Sequence, residues 1–171
     1  LEADFYTKVV NGSYWSSANS EEKTLLQDLY YHEVNHRDFF SAAISAAVGS
    51  NTGAKLPTLS FNYSGVNFND RASVLGTAKV LEDTGVAAYN GAGRLLTNPD
   101  YLVIAGKIVS VEARHASAIR TLINPNSVDF AGDDVVDPVT GLDMAKNPSA
   151  ILTAVGATGF ITTKFTANFL P

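Results

Sequence analysis

The sequence contains no cysteine, so the protein has neither disulfide bonds nor thiolate metal ligands. Charged residues are also scarce: they make up 17% of the chain, against about 25% in ordinary soluble domains. Much of the polar surface must therefore come from Asn, Ser and Thr, which favours an exported (periplasmic or extracellular) or self-associating protein over a cytosolic one. The length predicts a single domain spanning 1–171.

Two classes of partner are disfavoured by what is missing. The formal net charge is −5 and no cluster of Lys and Arg occurs, which argues against binding to nucleic acid. No segment approaches the roughly 18 consecutive apolar residues that a membrane-spanning helix needs. The first residues do not resemble a signal peptide, although a processed protein would look the same.

Four segments have the hydrophobic periodicity of helices, at about 1–10, 21–48 behind a capping Ser20, 71–96 and 99–124. A long polar connection separates the second from the third. A shorter helix is predicted to begin at Pro148 and to precede an extended tail. Short, long and short connections predict an all-α fold, an up-and-down four-helix bundle with one long crossover between its second and third helices.

Three of these helices carry ionisable side chains in the middle of an otherwise apolar stripe. A buried carboxylate is costly unless it is protonated, paired or bound to a cation. Carboxylates and imidazoles at one level of a core therefore predict a bound cation, and this mixture suits iron or manganese, and zinc less specifically. The residues are Glu33 and His36 on the second helix, Glu82 on the third, and Glu112 and His115 on the fourth.

The pattern Glu-x-x-His occurs twice, at 33–36 and at 112–115. Residues i and i+3 share a helix face, so both side chains can reach one ion. The chain has only six glutamates and three histidines, so two such pairs are more than chance predicts. A buried polar network without metal is the alternative interpretation.

These motifs resemble those of the ferritin-like superfamily, in which two helices supply Glu-x-x-His and the other two supply one Glu each. The motifs Leu-Glu-Ala-Asp-Phe-Tyr at 1–6 and Phe-Thr-Ala-Asn at 165–168 resemble segments of bacterial ferritin-like domain proteins. These proteins are often exported and are sometimes called desiccation-related. The resemblance covers essentially the whole chain. It implies two divalent metal ions and a supporting role beside the ligands for Tyr89, Tyr6 and Glu2. The implied ligands are Glu33, His36, Glu82, Glu112 and His115.

The first helix departs from the family pattern, which has a Glu seven residues before a tyrosine. If that tyrosine is Tyr6, the Glu would lie two positions before Leu1. We therefore expect that the first helix is truncated, or that Glu2, one turn further along, substitutes. A defective site is the third possibility.

The resemblance implies a di-iron or di-manganese oxidoreductase that reacts with oxygen or peroxide, with ferroxidase and peroxidase-like activities as equal candidates. The alternative is a structural, surface-assembly or stress-related protein whose metal site is vestigial or purely structural. The low charge favours this alternative and allows self-association.

Other residues are assigned ordinary roles. His32 lies beside the apolar stripe and is predicted to be a surface or interface residue. The aspartates of 133–137 lack the spacing of a calcium loop and predict a solvated turn. The small residues of 85–93 are predicted to allow close approach of a helix, and the aromatic residues of 61–68 to cover the bundle.

Overall fold

The computed structural model describes residues 1–167, so Asn168 at the end of the tail motif lies outside it. Helices dominate the described chain, and its β-structure is limited to isolated bridges. The helices are α1 (Glu2–Val10), α2 (Ser13–Ser17), α3 (Ser20–Val48), α4 (Arg71–Gly93), α5 (Pro99–Ile123) and α6 (Pro148–Thr158), with 3-10 turns at Thr52–Ala54 and Val128–Ala131. The predicted all-α fold is confirmed.

Four of these helices, α1, α3, α4 and α5, form the bundle, and the segment between α3 and α4 is the predicted crossover. Their apolar stripes meet in a core whose largest side chains are shielded from solvent, among them Phe5, Leu26, Leu75 and Ile119. None of the helices within 1–167 combines the length and hydrophobicity that crossing a bilayer requires.

The helix boundaries follow from side-chain caps. The Asn19 side chain accepts a hydrogen bond from the Glu22 backbone N–H at 2.9 Å, so Asn19 is the cap of α3 and not Ser20. Asp70 caps α4 in the same way through the N–H of Ser73. The end of α4 lies at Gly93, earlier than the predicted end near Leu96, because the following residues turn toward α5.

The crossover holds α1 against the rest of the molecule. The ring of Tyr63 is buried between Phe5 and Phe160, with centroid distances of 5.9 and 5.0 Å. Its hydroxyl donates a hydrogen bond to the Leu1 carbonyl at 3.0 Å. The aromatic residues of the crossover therefore cover the bundle, as the sequence predicts, and they fix the helix that carries Tyr6.

A close approach occurs at Gly91, where the backbone of Lys146 lies directly against α4. The Lys146 N–H donates to the Ala87 carbonyl at 3.0 Å, and a Cβ at position 91 would overlap the Lys146 carbonyl oxygen. At Gly91 the small residues of α4 therefore admit an extended segment that leads into α6, whereas at Gly85 they face Glu2 of helix α1, as predicted.

A buried arginine on α5 fastens the loop that follows this helix. Arg120 is 2% exposed and donates to both carboxylate oxygens of Asp83 at 2.8 Å, and to both oxygens of Asp134 at 3.0 and 2.7 Å. These bonds hold the pKa of the Asp134 carboxyl below its ordinary value. Asp133 and Asp134 lie in an exposed turn, as predicted, and Asp134 in addition ties this loop to the bundle.

Candidate metal centre

Three helices bring four ionisable side chains to one point in the bundle. Glu33 comes from α3, Glu82 from α4, and Glu112 and His115 from α5. One potential ligand atom from each lies within 4.8 Å of those of the other three. All four residues are 3% exposed or less. These are four of the five residues proposed as ligands from the sequence, and we call them the cluster.

The fifth residue, His36, borders the cluster. Its Nδ1 lies 3.3 Å from Oε1 of Glu33 and 3.2 Å from Oε1 of Glu112. On the other side, Nδ1 of His115 lies 3.2 Å from Glu33 Oε1 and 3.4 Å from Glu112 Oε2. Glu82 Oε2 is also 3.4 Å from His115 Nδ1. Glu33 and Glu112 therefore face both imidazoles, whereas Glu82 faces His115.

Five atoms of these residues are buried without a hydrogen-bond partner: Glu33 Oε1, His36 Nδ1, Glu82 Oε2, Glu112 Oε2 and His115 Nδ1. Buried polar atoms nearly always have a partner, so five together require an explanation. Glu22 shows the ordinary arrangement: it is buried, but it accepts from Tyr14 at 2.8 Å and pairs with Arg71. A cation bound among the five atoms would satisfy all of them at once, and the donor set fits divalent iron or manganese.

The electrostatics of the metal-free cluster centre on its two imidazoles. Burial alone would lower the pKa of His115, but the carboxylates of Glu112, Glu33 and Glu82 raise it to about 11. Burial likewise opposes the charge on His36, but Glu112 and Glu33 raise its pKa to about 9. Both rings therefore carry a positive charge at neutral pH, and these charges balance the carboxylates that a metal ion would otherwise balance.

The carboxylates differ from one another. Burial raises the pKa of Glu82 to about 7, an effect that His115 only partly offsets. Burial also acts against the charge on Glu112, but His115 and His36 outweigh it and lower its pKa to about 2. Glu112 is therefore held as an anion by the histidines, whereas the surroundings of Glu82 disfavour its charge.

Two residues of α1 reach the cluster. The Tyr6 hydroxyl donates to Oε1 of Glu82 at 2.6 Å, which leaves Oε2 of that carboxylate free to face His115. Glu2 lies one turn earlier, with Oε1 3.1 Å from the place that a Cβ on Gly85 would take. Burial, and then the negative charges of the cluster carboxylates, raise the pKa of Glu2 well above its ordinary value.

Tyr89 is positioned differently from the expectation. Its ring packs on Phe40, with centroids 6.1 Å apart and planes 27° apart. Within the described residues its hydroxyl forms no hydrogen bond to a carboxylate of the cluster. Burial and the nearby charge of Glu112 raise its pKa above the ordinary value. The hydrogen-bonding role implied for Tyr89 is filled by Tyr6.

Comparison with known families agrees with this geometry. The model of the ferritin-like domain family matches residues 1–125. The chain belongs to this family. The matched region contains α1 and the three helices that carry the cluster, and it ends just after α5. No curated protein matches the chain. In a ferritin-like bundle, ligands that project inward from facing helices meet in the core, as the five residues do here.

One residue of this ferritin-like site was missed by the sequence analysis. His32 is partly buried, and its Nδ1 lies 2.9 Å from Nε2 of His115, so the prediction of a surface or interface residue is corrected. A signal was present: 32–36 reads His-Glu-x-x-His, and residues i and i+4 share a helix face. In zinc peptidases both histidines of a His-Glu-x-x-His motif bind one zinc ion. Here His32 turns its Nδ1 to His115 instead.

Proposed function

We propose that the protein binds two divalent metal ions, iron or manganese, and acts as an oxidoreductase toward oxygen or peroxide. The observation that carries the proposal is the convergence of four buried ligand residues on one point of a ferritin-like bundle, with a fifth unpartnered ligand atom, His36 Nδ1, at its border. Carboxylates combined with imidazole suit iron and manganese, the two candidates that can change oxidation state. Zinc is compatible with the ligands but not with redox chemistry.

The chain supplies a distinct role for each residue. Glu33 and Glu112 each face both histidines, so each would hold metal together with His36 and His115. His36 and His115 would each bind one of the ions through Nδ1.

Residues around these four complete the site. Glu82 would bind through Oε2, because Tyr6 holds its Oε1. Glu2 is the candidate for a sixth ligand from the first helix. Iron or manganese, when bound, supplies the electrons that oxygen or peroxide accepts. The protein contributes the arrangement of the ligands and their shielding from water.

The metal-binding part of the proposal is tested by titration. Protein freed of metal by chelation is titrated without oxygen, with Fe²⁺ or Mn²⁺, and the bound equivalents are counted. We expect two equivalents for the wild type, and one or none for Glu33→Gln and Glu112→Gln. Glu21→Gln is the matched control, because Glu21 lies on the same helix as Glu33 but is exposed. Unchanged binding by both cluster variants would contradict the proposal.

The oxidoreductase part is tested on the loaded protein. Oxygen and hydrogen peroxide are added separately, and loss of the oxidant is followed together with the oxidation state of the metal. Consumption of either oxidant faster than by the same amount of free metal supports the activity. A loaded protein that consumes neither is a structural metal protein.

We also propose membership of the exported, desiccation-related branch of the family. The support is the sequence motif at residues 1–6 and the low fraction of charged residues in the chain. Fractionation of cells that express the complete gene tests it, and recovery of the protein from the cytosol alone would contradict it.

A second candidate function, assembly of a surface structure, rests on exposed apolar side chains. Tyr101, Leu102 and Val103 are consecutive and exposed at the start of α5, and Phe39 and Ile44 are exposed on α3. Large apolar side chains exposed to solvent in this way favour self-association. Sedimentation analysis over a range of concentrations tests it, and a monomer at every concentration would exclude it.

A further inference from the structure

We infer that His32 is a positioning residue for His115: it accepts a hydrogen bond from Nε2–H of His115 and thereby keeps Nδ1 of His115 free to bind metal. The inference rests on the proposed function and deepens it. It assigns a role to the third histidine of the chain, which lies outside both Glu-x-x-His pairs.

The contact has the geometry of a hydrogen bond in the plane of both rings. Nδ1 of His32 and Nε2 of His115 are 2.9 Å apart, the ring planes differ by 8°, and the centroids are 5.1 Å apart. A nitrogen–nitrogen distance of 2.9 Å is shorter than the separation of two rings in face-to-face contact. The rings therefore meet edge to edge, with the bond directed from one ring to the other.

The direction of this bond decides which nitrogen of His115 is available. A neutral imidazole has one N–H donor and one acceptor nitrogen. Nδ1 of His115 faces Glu33, Glu82 and Glu112, so it must be the acceptor if it is to bind a cation. The proton then lies on Nε2, where it needs an acceptor because the side chain is only 4% exposed. Nδ1 of His32 is that acceptor.

Only one of the two histidine ligands is supported in this way. His36 has no such partner in the described part of the chain, and its side chain is more exposed, at 15%. Loss of the acceptor at position 32 should therefore weaken binding of the ion beside His115 and leave binding of the ion beside His36 nearly unchanged. An outer hydrogen-bond partner of this kind is typically worth about 10- to 100-fold in metal affinity.

The test compares His32→Asn with His32→Leu. The two side chains have the same shape, but the Asn oxygen can take the place of Nδ1 and Leu offers no acceptor. The probe is Co²⁺, titrated in competition with a chelator. We expect His32→Leu to lower the affinity for one of the two cobalt ions by about 10- to 100-fold. His32→Asn should retain most of the affinity for both ions. His32→Gln, whose oxygen extends one carbon too far, should behave like the Leu variant.

A second readout reports the hydrogen bond directly. In zinc-loaded, ¹⁵N-labelled protein, the Nε2 proton of His115 should give a slowly exchanging resonance in the wild type and in His32→Asn. The same resonance should be absent from His32→Leu. A residue that only fills space would give equal results for Asn and Leu.

The outcomes separate the inference from the proposed function. If the wild type binds no cobalt, the metal centre itself is wrong. If the wild type binds two ions and His32→Leu binds both equally well, only the role of His32 is overturned. Equal weakening in the Asn and Leu variants would also overturn it, because shape and not the acceptor would then matter.

Discussion

Glu82 and Glu112 are both buried in the cluster, but different residues stabilise them. Glu112 is matched by two histidines, which lower its pKa to about 2. Glu82 accepts a hydrogen bond from Tyr6, yet burial raises its pKa from an ordinary value of 4.5 to about 7. A raised pKa means that the native state binds the proton more tightly than the unfolded chain. Glu82 therefore reduces stability progressively between these two pH values, and the reduction is complete above the higher one.

Opposite results are expected for two isosteric variants of the metal-free protein at pH 8. Glu82→Gln keeps an oxygen for Tyr6 and removes the buried charge, so the free energy of unfolding should stay the same or rise. Glu112→Gln removes the charged partner of His36 and His115, so the free energy of unfolding should fall by about 1–3 kcal/mol. Urea unfolding with a chelator present measures both. Equal destabilisation by the two substitutions would show that Glu82 is also held as a paired anion.

The stripe pattern predicted the cluster residues because a three- and four-residue step follows one helix face. It could not predict the role of His32, which lies next to Glu33 and off that stripe. The hydrogen bond to His115 depends on how α3 and α5 are rotated about their axes, and the spacing of residues in one helix does not contain that rotation. A role for Tyr6 beside the ligands was predicted, but its partner Glu82 was not, for the same reason, since this bond joins α1 to α4.

At the scale of the elements, the long helices were predictable and the short ones were not. α3 and α5 span several turns, so their periodicity stands out from the rest of the sequence. α2 has five residues, too few to show a period. The position of the segment before α6 also could not be predicted from the sequence. It depends on a contact between Gly91 and Lys146, which lie far apart in the chain.

The packing of that segment gives a matched pair of glycine substitutions within α4. Gly91→Ala places a methyl group where the Lys146 carbonyl lies, so the segment must move and the protein should lose stability. Gly76→Ala meets nothing within 4 Å and should raise stability by about 0.5–1 kcal/mol, because Ala favours a helix interior over Gly. Thermal unfolding compares the two, and a stabilising Gly91→Ala would contradict the close approach.

For the whole molecule, binding of metal should be coupled to release of protons. In the metal-free protein His36 and His115 have pKa values of about 9 and about 11, so both are protonated at pH 7. Each must lose its proton to bind an ion, so about two protons should leave per molecule. Glu82 has a pKa of about 7, so it is partly protonated at pH 7 and should release part of a third proton. Affinity should therefore fall as the pH is lowered.

A pH-indicator dye measures this release during titration with Mn²⁺ in weak buffer. The Glu33→Gln variant shows whether the release requires an intact cluster. Binding of two ions without release of protons would mean that the histidines are neutral in the metal-free protein or do not bind metal.

The unequal exposure of the two histidines, 15% for His36 and 4% for His115, has a kinetic consequence. An ion beside His36 can exchange with solution when one partly exposed ring rotates. An ion bound beside His115 would be released only when the helices around it open locally, which is a much slower event. A strong chelator should therefore strip the protein in two phases, and a different metal added between them should leave each molecule with one ion of each kind.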